Sequence, residues 1–327
     1  MNNNFDQENK INKYIYREKN LTPAARVKEL VGTFAKSLPM FVSSKNSVKY
    51  LQNTNLKDWY TPSIPEFSSE ILKITWIGHS SFLIQIMGLN ILVDPIFFDL
   101  MFFYKRVVPA GIDIKKLPKI DFILISHDHA DHLDYKSLLE LKKFNSKILI
   151  PKGTINWFNK NNFINIKEFD WWQDFIFNFK NKIIKFSFLP AVHWSGRKYA
   201  QINKSCWGSW MISANNKNIF FAGDTAYDKH FIDIAKDFEI DVALLPIGPV
   251  EPRNIVKHSH MDSIEAVKAF IDLNAKNFIP MHWGTFKVNL DNFYLPVKKL
   301  YSCWQEHEYN LKTKNLCVLK FGQSIQL

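Results

Sequence analysis

The sequence predicts an α+β fold, a four-layer αββα sandwich in which two facing mixed β-sheets are flanked by helices. Three observations predict it. Short β-rich runs come in consecutive hairpins, interspersed with single amphipathic helices, so each sheet has one face for its partner and one for helices. Apolar strands repeatedly end in a histidine or an aspartate, at His127, His193, Asp224 and His282. No repeat of 20 to 50 residues marks a solenoid, and no apolar run reaches the roughly 18 residues of a membrane span.

The N-terminal part, residues 1–69, reads as an extension. Its first 20 residues are polar and charged and lack the apolar core of a secretory leader. Residues 22–38 read as a helix, with Thr22 as N-cap and Pro23 in the first turn. Val27, Leu30, Val31, Phe34 and Leu38 line one face, with Arg26, Lys28 and Lys36 beside it. That face either packs on the domain or lies at a lipid interface. Residues 39 to 70 read as an irregular surface connection.

The main domain, residues 70–327, opens with runs at Ile71–Ile77, Phe82–Ile86 and Asn90–Val93, the last two joined by Met87-Gly88. Gly78-His79-Ser80-Ser81 forms the first turn, and Asp94-Pro95 ends the third run. Phe97 to Tyr104 is rich in apolar residues and is closed by Lys105-Arg106. As a loop it is an exposed apolar patch beside positive charge; as a buried helix it is core. Ile120–Ile125 is a buried strand, Leu133–Phe144 a helix and Lys147–Ile150 a strand. Phe175–Phe179 with Ile183–Leu189, and Trp207–Ser213 with Ile219–Ala222, form hairpins. Asp241–Ile247 and Asn277–Pro280 are strands. Asp262 and Glu265 are spaced as a capping box for a helix through Leu273. Pro296–Glu308 is helical and Leu316–Phe321 is a closing strand.

The densest chemistry lies in Ser126-His127-Asp128-His129-Ala130-Asp131-His132, directly after a buried strand. Imidazole and carboxylate suit zinc and related divalent ions. His127, His129 and His193 can hold one ion; Asp131, His132 and His282 can hold a second; Asp224 can bridge them. Two ions roughly 3.5–4 Å apart share and acidify a water and neutralise charge on a phosphoryl or carbonyl oxygen. Asp94 at its strand end can fix the tautomer of a ligand histidine from behind, and His79 either supports the site in the same way or is a structural turn residue.

His-x-His-x-Asp-His, followed by His 61 residues on, Asp 31 further and His 58 further, resembles the metallo-β-lactamase superfamily. Position 129 is His where the oxygen-reducing di-iron branch has Glu, which favours a hydrolytic branch. Longer blocks resemble the N-acylphosphatidylethanolamine-hydrolysing phospholipase D family more narrowly. They include Trp76-Ile77-Gly78-His79, Val93-Asp94-Pro95-Ile96, Asp170-Trp171-Trp172, Trp207-Gly208-Ser209-Trp210, Gly223-Asp224-Thr225, Glu251-Pro252-Arg253 and His282-Trp283-Gly284-Thr285-Phe286. The resemblance covers about residues 70 to 323.

It implies a binuclear zinc phosphodiesterase with two Zn2+ per chain, iron or manganese being the other candidates. Hydroxide bridging the metals would release an N-acylethanolamine and leave phosphatidic acid. Asp224 would bridge the ions and orient or deprotonate the water. His260, in Ser-His-Met-Asp, matches a family histidine near the substrate phosphate. With Asp131 these are the residues assigned to catalysis. Ala130 departs from the animal enzymes, which carry a tyrosine there. The resemblance also implies a phospholipid substrate, an anionic membrane surface as partner and a homodimer. His258, His230 and His307 read as surface residues.

Composition narrows the alternatives. The net charge of +11 permits an anionic partner, but no inserted basic arm or nuclease motif points to nucleic acid. The three cysteines, Cys206, Cys303 and Cys317, are odd in number and widely spaced, as free thiols of a reducing compartment are. A cytoplasmic protein, peripheral on the inner face of a membrane, is the expectation. A lactonase or phosphoesterase acting on a soluble substrate is the main alternative. A scaffold on this fold would lack ligands, and all seven are present.

Overall fold

The structure, a computed structural model, describes residues 54–100, 104–197, 201–287 and 291–327. The helix expected over residues 22–38 lies outside them.

The first sheet begins as a meander. β1 (Lys73–Gly78), β2 (Ser81–Ile86) and β3 (Leu89–Val93) pair antiparallel, Ile74 opposite Ile84 and Ile84 opposite Ile91. Met87-Gly88 makes the tight turn with both residues at positive φ, the geometry a two-residue hairpin requires. Three strands then join in parallel: β4 (Phe122–Leu124), β5 (Lys147–Pro151) and β6 (Ile166–Phe169). The second sheet is built from β7 (Gln173–Phe179), β8 (Lys182–Leu189), β9 (Ser209–Ala214) and β10 (Lys217–Phe221), all antiparallel. β11 (Val242–Pro246), β12 (Asn277–Met281) and β13 (Asn315–Leu316) extend it in parallel. A last strand, β14 (Ser324–Gln326), returns to pair with β1. Among the described residues each sheet has seven strands, in the orders β14-β1-β2-β3-β4-β5-β6 and β13-β12-β11-β10-β9-β8-β7.

Side-chain alternation makes the layers. Ile74, Trp76, Phe82, Ile84, Phe122 and Leu124 point into the space between the sheets, where they meet Phe186, Phe188, Trp210, Ile212 and Phe221. Ile77, Leu83, Leu92 and Ile123 point the other way, onto Leu138, Leu141 and Phe158 of α1 (Tyr135–Leu141) and α2 (Ile155–Lys160). The outer face of the second sheet is covered by α3 (His230–Asp237), α5 (Ser263–Asp272) and α6 (Leu295–Glu306). These bring Phe231, Phe270 and Leu300 to the core. The short α4 (Arg253–Val256) precedes α5, and α7 (Glu308–Leu311) follows α6. The expected four-layer sandwich is therefore the one observed.

Asp262 caps α5 as its spacing suggests, its Oδ1 accepting from the N–H groups of Ile264 and Glu265 at 3.0 and 2.9 Å. Glu265 turns instead to Arg253. The closing strand expected over Leu316–Phe321 is broken. Its start pairs with β12 in the second sheet, and its continuation crosses to the first, where the Gly322 N–H donates to Trp76 O at 2.7 Å. Gly322, at φ +90, sits so close to Thr61 that a Cβ would lie 2.2 Å from that carbonyl oxygen, so a side chain cannot pass there. The Phe97–Tyr104 stretch divides as well. Phe97 is buried and Phe98 packs partly against the outer core, while residues 101–103 lie outside the described part. Among the described residues no helix is long and apolar enough to cross a membrane.

Candidate metal centre

The centre lies where strand ends of both sheets converge. The chain leaving β4 is held first: Ile125 N–H donates to Leu149 O, and Trp210 Nε1–H from the second sheet donates to Ile125 O at 2.9 Å. The Ser126 N–H and hydroxyl both donate to the Asp94 carboxylate, at 2.8 and 2.5 Å. Asp94, at the end of β3, also accepts from His132 Nδ1 at 2.7 Å. That bond fixes the His132 tautomer and turns Nε2 toward the centre, as a carboxylate behind a ligand histidine does.

From the second sheet, β8 leads to His193, β10 to Asp224 and β12 to His282. His193 Nδ1 donates to Ser259 O at 2.8 Å, which directs its Nε2 inward. Gly223, at φ +59, brings Asp224 in. A Cβ there would lie 2.7 Å from Ser126 Cβ, so only glycine lets the two sheets approach this closely. Three non-glycine residues of the site, His79, Asp94 and His282, have φ of 54°, 38° and 61°. Such left-handed backbone is costly away from glycine and concentrates at functional sites.

Of the groups at this centre whose possible ligand atoms lie within 4.8 Å of one another, two share no member, while Asp94 with His127 and His132, and Asp224 with His193 and His260, overlap them. His127, His129 and His193 make one. His129 Nδ1 is 2.9 Å from His127 Nε2 and 3.2 Å from His193 Nε2. Tetrahedral zinc with bonds of about 2.0–2.1 Å sets its nitrogens about 3.3 Å apart, so this spacing fits a metal. His79, Asp131, His132 and His282 make the other. Asp224 stands between them. Its Oδ2 is 3.1 Å from His282 Nε2 and 3.2 Å from His132 Nε2, and 3.9 and 4.0 Å from His193 and His127 Nε2. Among the described residues, His132 Nε2, His282 Nε2 and Asp224 Oδ1 are buried and have no hydrogen-bond partner. Buried polar atoms left so are rare and expected of ligand atoms.

The electrostatics suit a cation. Burial, followed by the neighbouring His132, His129 and His193, pushes His127 well below the usual imidazole range. Burial with His193 beside it lowers His129 to about 3, and burial with His282 beside it lowers His79 to about 3. These rings are neutral, as ligands must be. Burial opposes charge on Asp224 and Asp131, but His132 and its neighbours hold both carboxyls well below their ordinary value. His132 goes the opposite way. Despite burial, Asp224 and Asp131 hold it well above 6.5, a measure of the negative field at its Nε2.

All the residues singled out by spacing thus come together. Asp94 stands behind His132, as read. His79 is in the second group itself, its Nε2 3.2 Å from Asp131 Oδ2 and its ring 4.1 Å from that of His282. His260 is at the rim, partly exposed, with Nδ1 3.7 Å from Asp224 Oδ2. His258 is exposed. His230, read as a surface residue, is fully buried on α3 and bonded to Thr225, because α3 turns that side toward the sheet. Asp128 escaped notice inside the His-rich loop. It accepts from Gly196 N–H and the Ser205 hydroxyl at 2.7 and 2.8 Å, while Arg197 donates to the Asp128 and Leu133 carbonyls. These bonds tie the loop after His193 to the loop of His127. The His-x-His-x-Asp-His spacing carries no hint of that role.

The two seven-stranded sheets, with histidines and carboxylates gathered at their strand ends, are those of a metal-dependent hydrolase of the metallo-β-lactamase fold, and residues 89–283 match the family of the beta-lactamase superfamily domain. A metallo hydrolase of Ignicoccus hospitalis shares the fold at a TM-score of 0.58 and 20% identity, over 78% of this chain and 98% of that one. Within the superfamily, the chain belongs to the family of the N-acyl-phosphatidylethanolamine-hydrolysing phospholipases D. It is 37% identical over 235 residues to the mitochondrial enzyme of that name from Saccharomyces cerevisiae, covering 69% of this chain and 50% of the yeast protein. It is 32% identical over 275 residues to phospholipase D 1 of that kind from Caenorhabditis elegans, covering 79% of this chain and 77% of the worm protein. The chain thus spans half the length of the yeast relative.

Proposed function

We propose that this protein is a binuclear phosphodiesterase that hydrolyses N-acylphosphatidylethanolamine-type phospholipids to an N-acylethanolamine and phosphatidic acid. The observation that carries the reading is the placement of Asp224 Oδ2 between the two groups of ligand atoms. His127, His129 and His193 would hold one ion; Asp131, His132 and His282, with His79 beside them, the other; zinc fits the donor set. Such a pair supplies an acidified water and a positive clamp on phosphoryl oxygens.

The protein's own groups do the rest. Ionised Asp224 accepts a hydrogen bond from the attacking water and aligns it. Asp131, held by His79, gives the second group its own carboxylate. His260 sits at the open side of Asp224 and presents its ring to a non-bridging phosphoryl oxygen. Burial, with His193 and His282 beside it and against the pull of Asp224, holds it well below the usual imidazole range. Arg253 fixes its backbone by donating to the His260 carbonyl at 2.9 Å. The surplus of basic residues favours an anionic lipid surface as the place of encounter, with the chain peripheral on it and working as a homodimer.

The test is to incubate zinc-loaded protein with N-acylphosphatidylethanolamine in mixed micelles and to measure phosphatidic acid by mass spectrometry, with Asp224→Asn as control. Product that disappears in the control supports the reading. No product from protein carrying two metals per chain overturns it in favour of a soluble phosphoester or lactone.

A further inference from the structure

Three loops of the centre meet at one dipeptide, Thr225-Ala226, next to Asp224. The Thr225 hydroxyl accepts from the N–H of Val192, the residue before His193, at 2.9 Å, and the Ala226 N–H donates back to Val192 O at 2.8 Å. The Thr225 carbonyl accepts from the N–H of Met261, the residue after His260, at 2.8 Å. One short segment thereby sets the relative positions of Asp224, His193 and His260. Thr225 is fully buried, so its hydroxyl has no solvent to turn to.

Behind this joint stands His230, also fully buried, with Nε2 3.2 Å from Thr225 Oγ1. The hydroxyl proton of Thr225 is already committed to Ala226 O at 2.8 Å. The His230 ring therefore donates its Nε2–H to the hydroxyl oxygen, whose remaining lone pair receives Val192. With all three bonds made, the hydroxyl cannot rotate and the Val192 contact keeps its direction. The ring is held in turn by α3, against Phe231 at 4.0 Å between centroids.

We propose that His230 is a positioning residue of the metal centre, which locks the Thr225 joint and through it holds Asp224 and His193 in register. The inference rests on the reading of this centre as a metal site. A residue behind a ligand typically changes metal affinity by about 10–100-fold, and His230 acts one bond further back, so about tenfold is expected.

The experiment compares wild type, His230→Leu, His230→Gln and Ile234→Ala. Ile234 is buried on the same helix and serves as the packing control. Each protein is loaded with zinc and titrated with a chromophoric chelator, and its Tm is recorded separately. His230→Leu is expected to yield zinc at about tenfold lower chelator concentration. His230→Gln, which keeps an N–H donor, should recover most of that difference. Ile234→Ala should lower Tm without changing zinc competition. Wild-type zinc competition in His230→Leu overturns the proposal, and so does zinc loss that simply follows Tm across all variants. Absence of phospholipid cleavage by the wild type would remove the proposed reaction while the chelator titration still decides the role of His230. A wild type that takes up no zinc overturns both.

Discussion

The two ligand groups are neighbours, yet their chemistry differs. The group of His127, His129 and His193 consists of imidazoles alone, crowded so that burial and mutual repulsion keep them neutral. The group of Asp131, His132, His282 and His79 contains its own carboxylate, and Asp131 with Asp224 draws a proton to His132. Their supports differ too. His193 is directed by a backbone carbonyl, whereas His132 is directed by the buried carboxylate of Asp94. The comparison teaches that one fold can set two unlike sites side by side. The imidazole group relies on geometry, the other adds charge, and the shared Asp224 is what couples them.

Removing the coupling should have the largest effect. Asp224→Asn takes the shared negative charge from both groups and is expected to lower kcat by about 10³ or more, several kcal/mol of lost charge stabilisation. Metal analysis should show fewer than two ions per chain. Asp131→Asn sharpens the contrast, since it strips charge from one group only. That group should bind its ion roughly a hundredfold more weakly, at the upper end of the effect of a residue behind a ligand. In wild type, stepwise chelation should empty the imidazole group first; in Asp131→Asn the order should reverse. Asp94→Asn tests the supports, with an expected loss of about 10–100-fold in metal affinity confined to the His132 side.

A separate effect is on folding. In metal-free protein His79 and His129 have pKa values near 3, against about 6.5 in the unfolded chain. Between those values the unfolded state binds more protons, so stability rises with pH. It is fully present above about pH 6.5 and is lost as pH falls toward 3, at up to about 1.4 kcal/mol per pH unit for each ring. Urea melts of chelated protein at pH 5 and 7 would show it. His129→Gln should flatten the slope; an unchanged slope would mean that this ring does not set it.

Much of this was legible in the chain because ligand spacing is local. His127 to His132 lie on one loop, and each of the other three ligands follows an apolar strand, so periodicity exposes them. Where tertiary contact decides, sequence falls silent. His230 resembles any polar helix residue until α3 docks with that side inward. Asp128 has no role in the ligand spacing, and only the docking of Gly196 and Ser205 against it gives it one. Leu316–Phe321 has strand composition, and only the approach of Gly322 to Gly111 and Thr61 breaks it into a crossing between sheets. Ala130, where a phenol is expected, remains beside Asp131, and nothing in the structure explains that substitution.

The division of ligands between the sheets has a consequence for how the protein comes into being. His127 to His132 belong to the first sheet, whereas His193, Asp224 and His282 come from the second, far along the chain. A nascent chain emerges N-terminus first, at about 5–20 residues per second. The His-rich loop is therefore synthesised well before His282 can meet it. Until the second sheet has docked, that loop lacks His193, Asp224 and His282 and offers only part of the candidate donor set. Faithful metallation is thus a late event, and conditions that flood the chain with competing metal during synthesis should harm it more than the same exposure after folding.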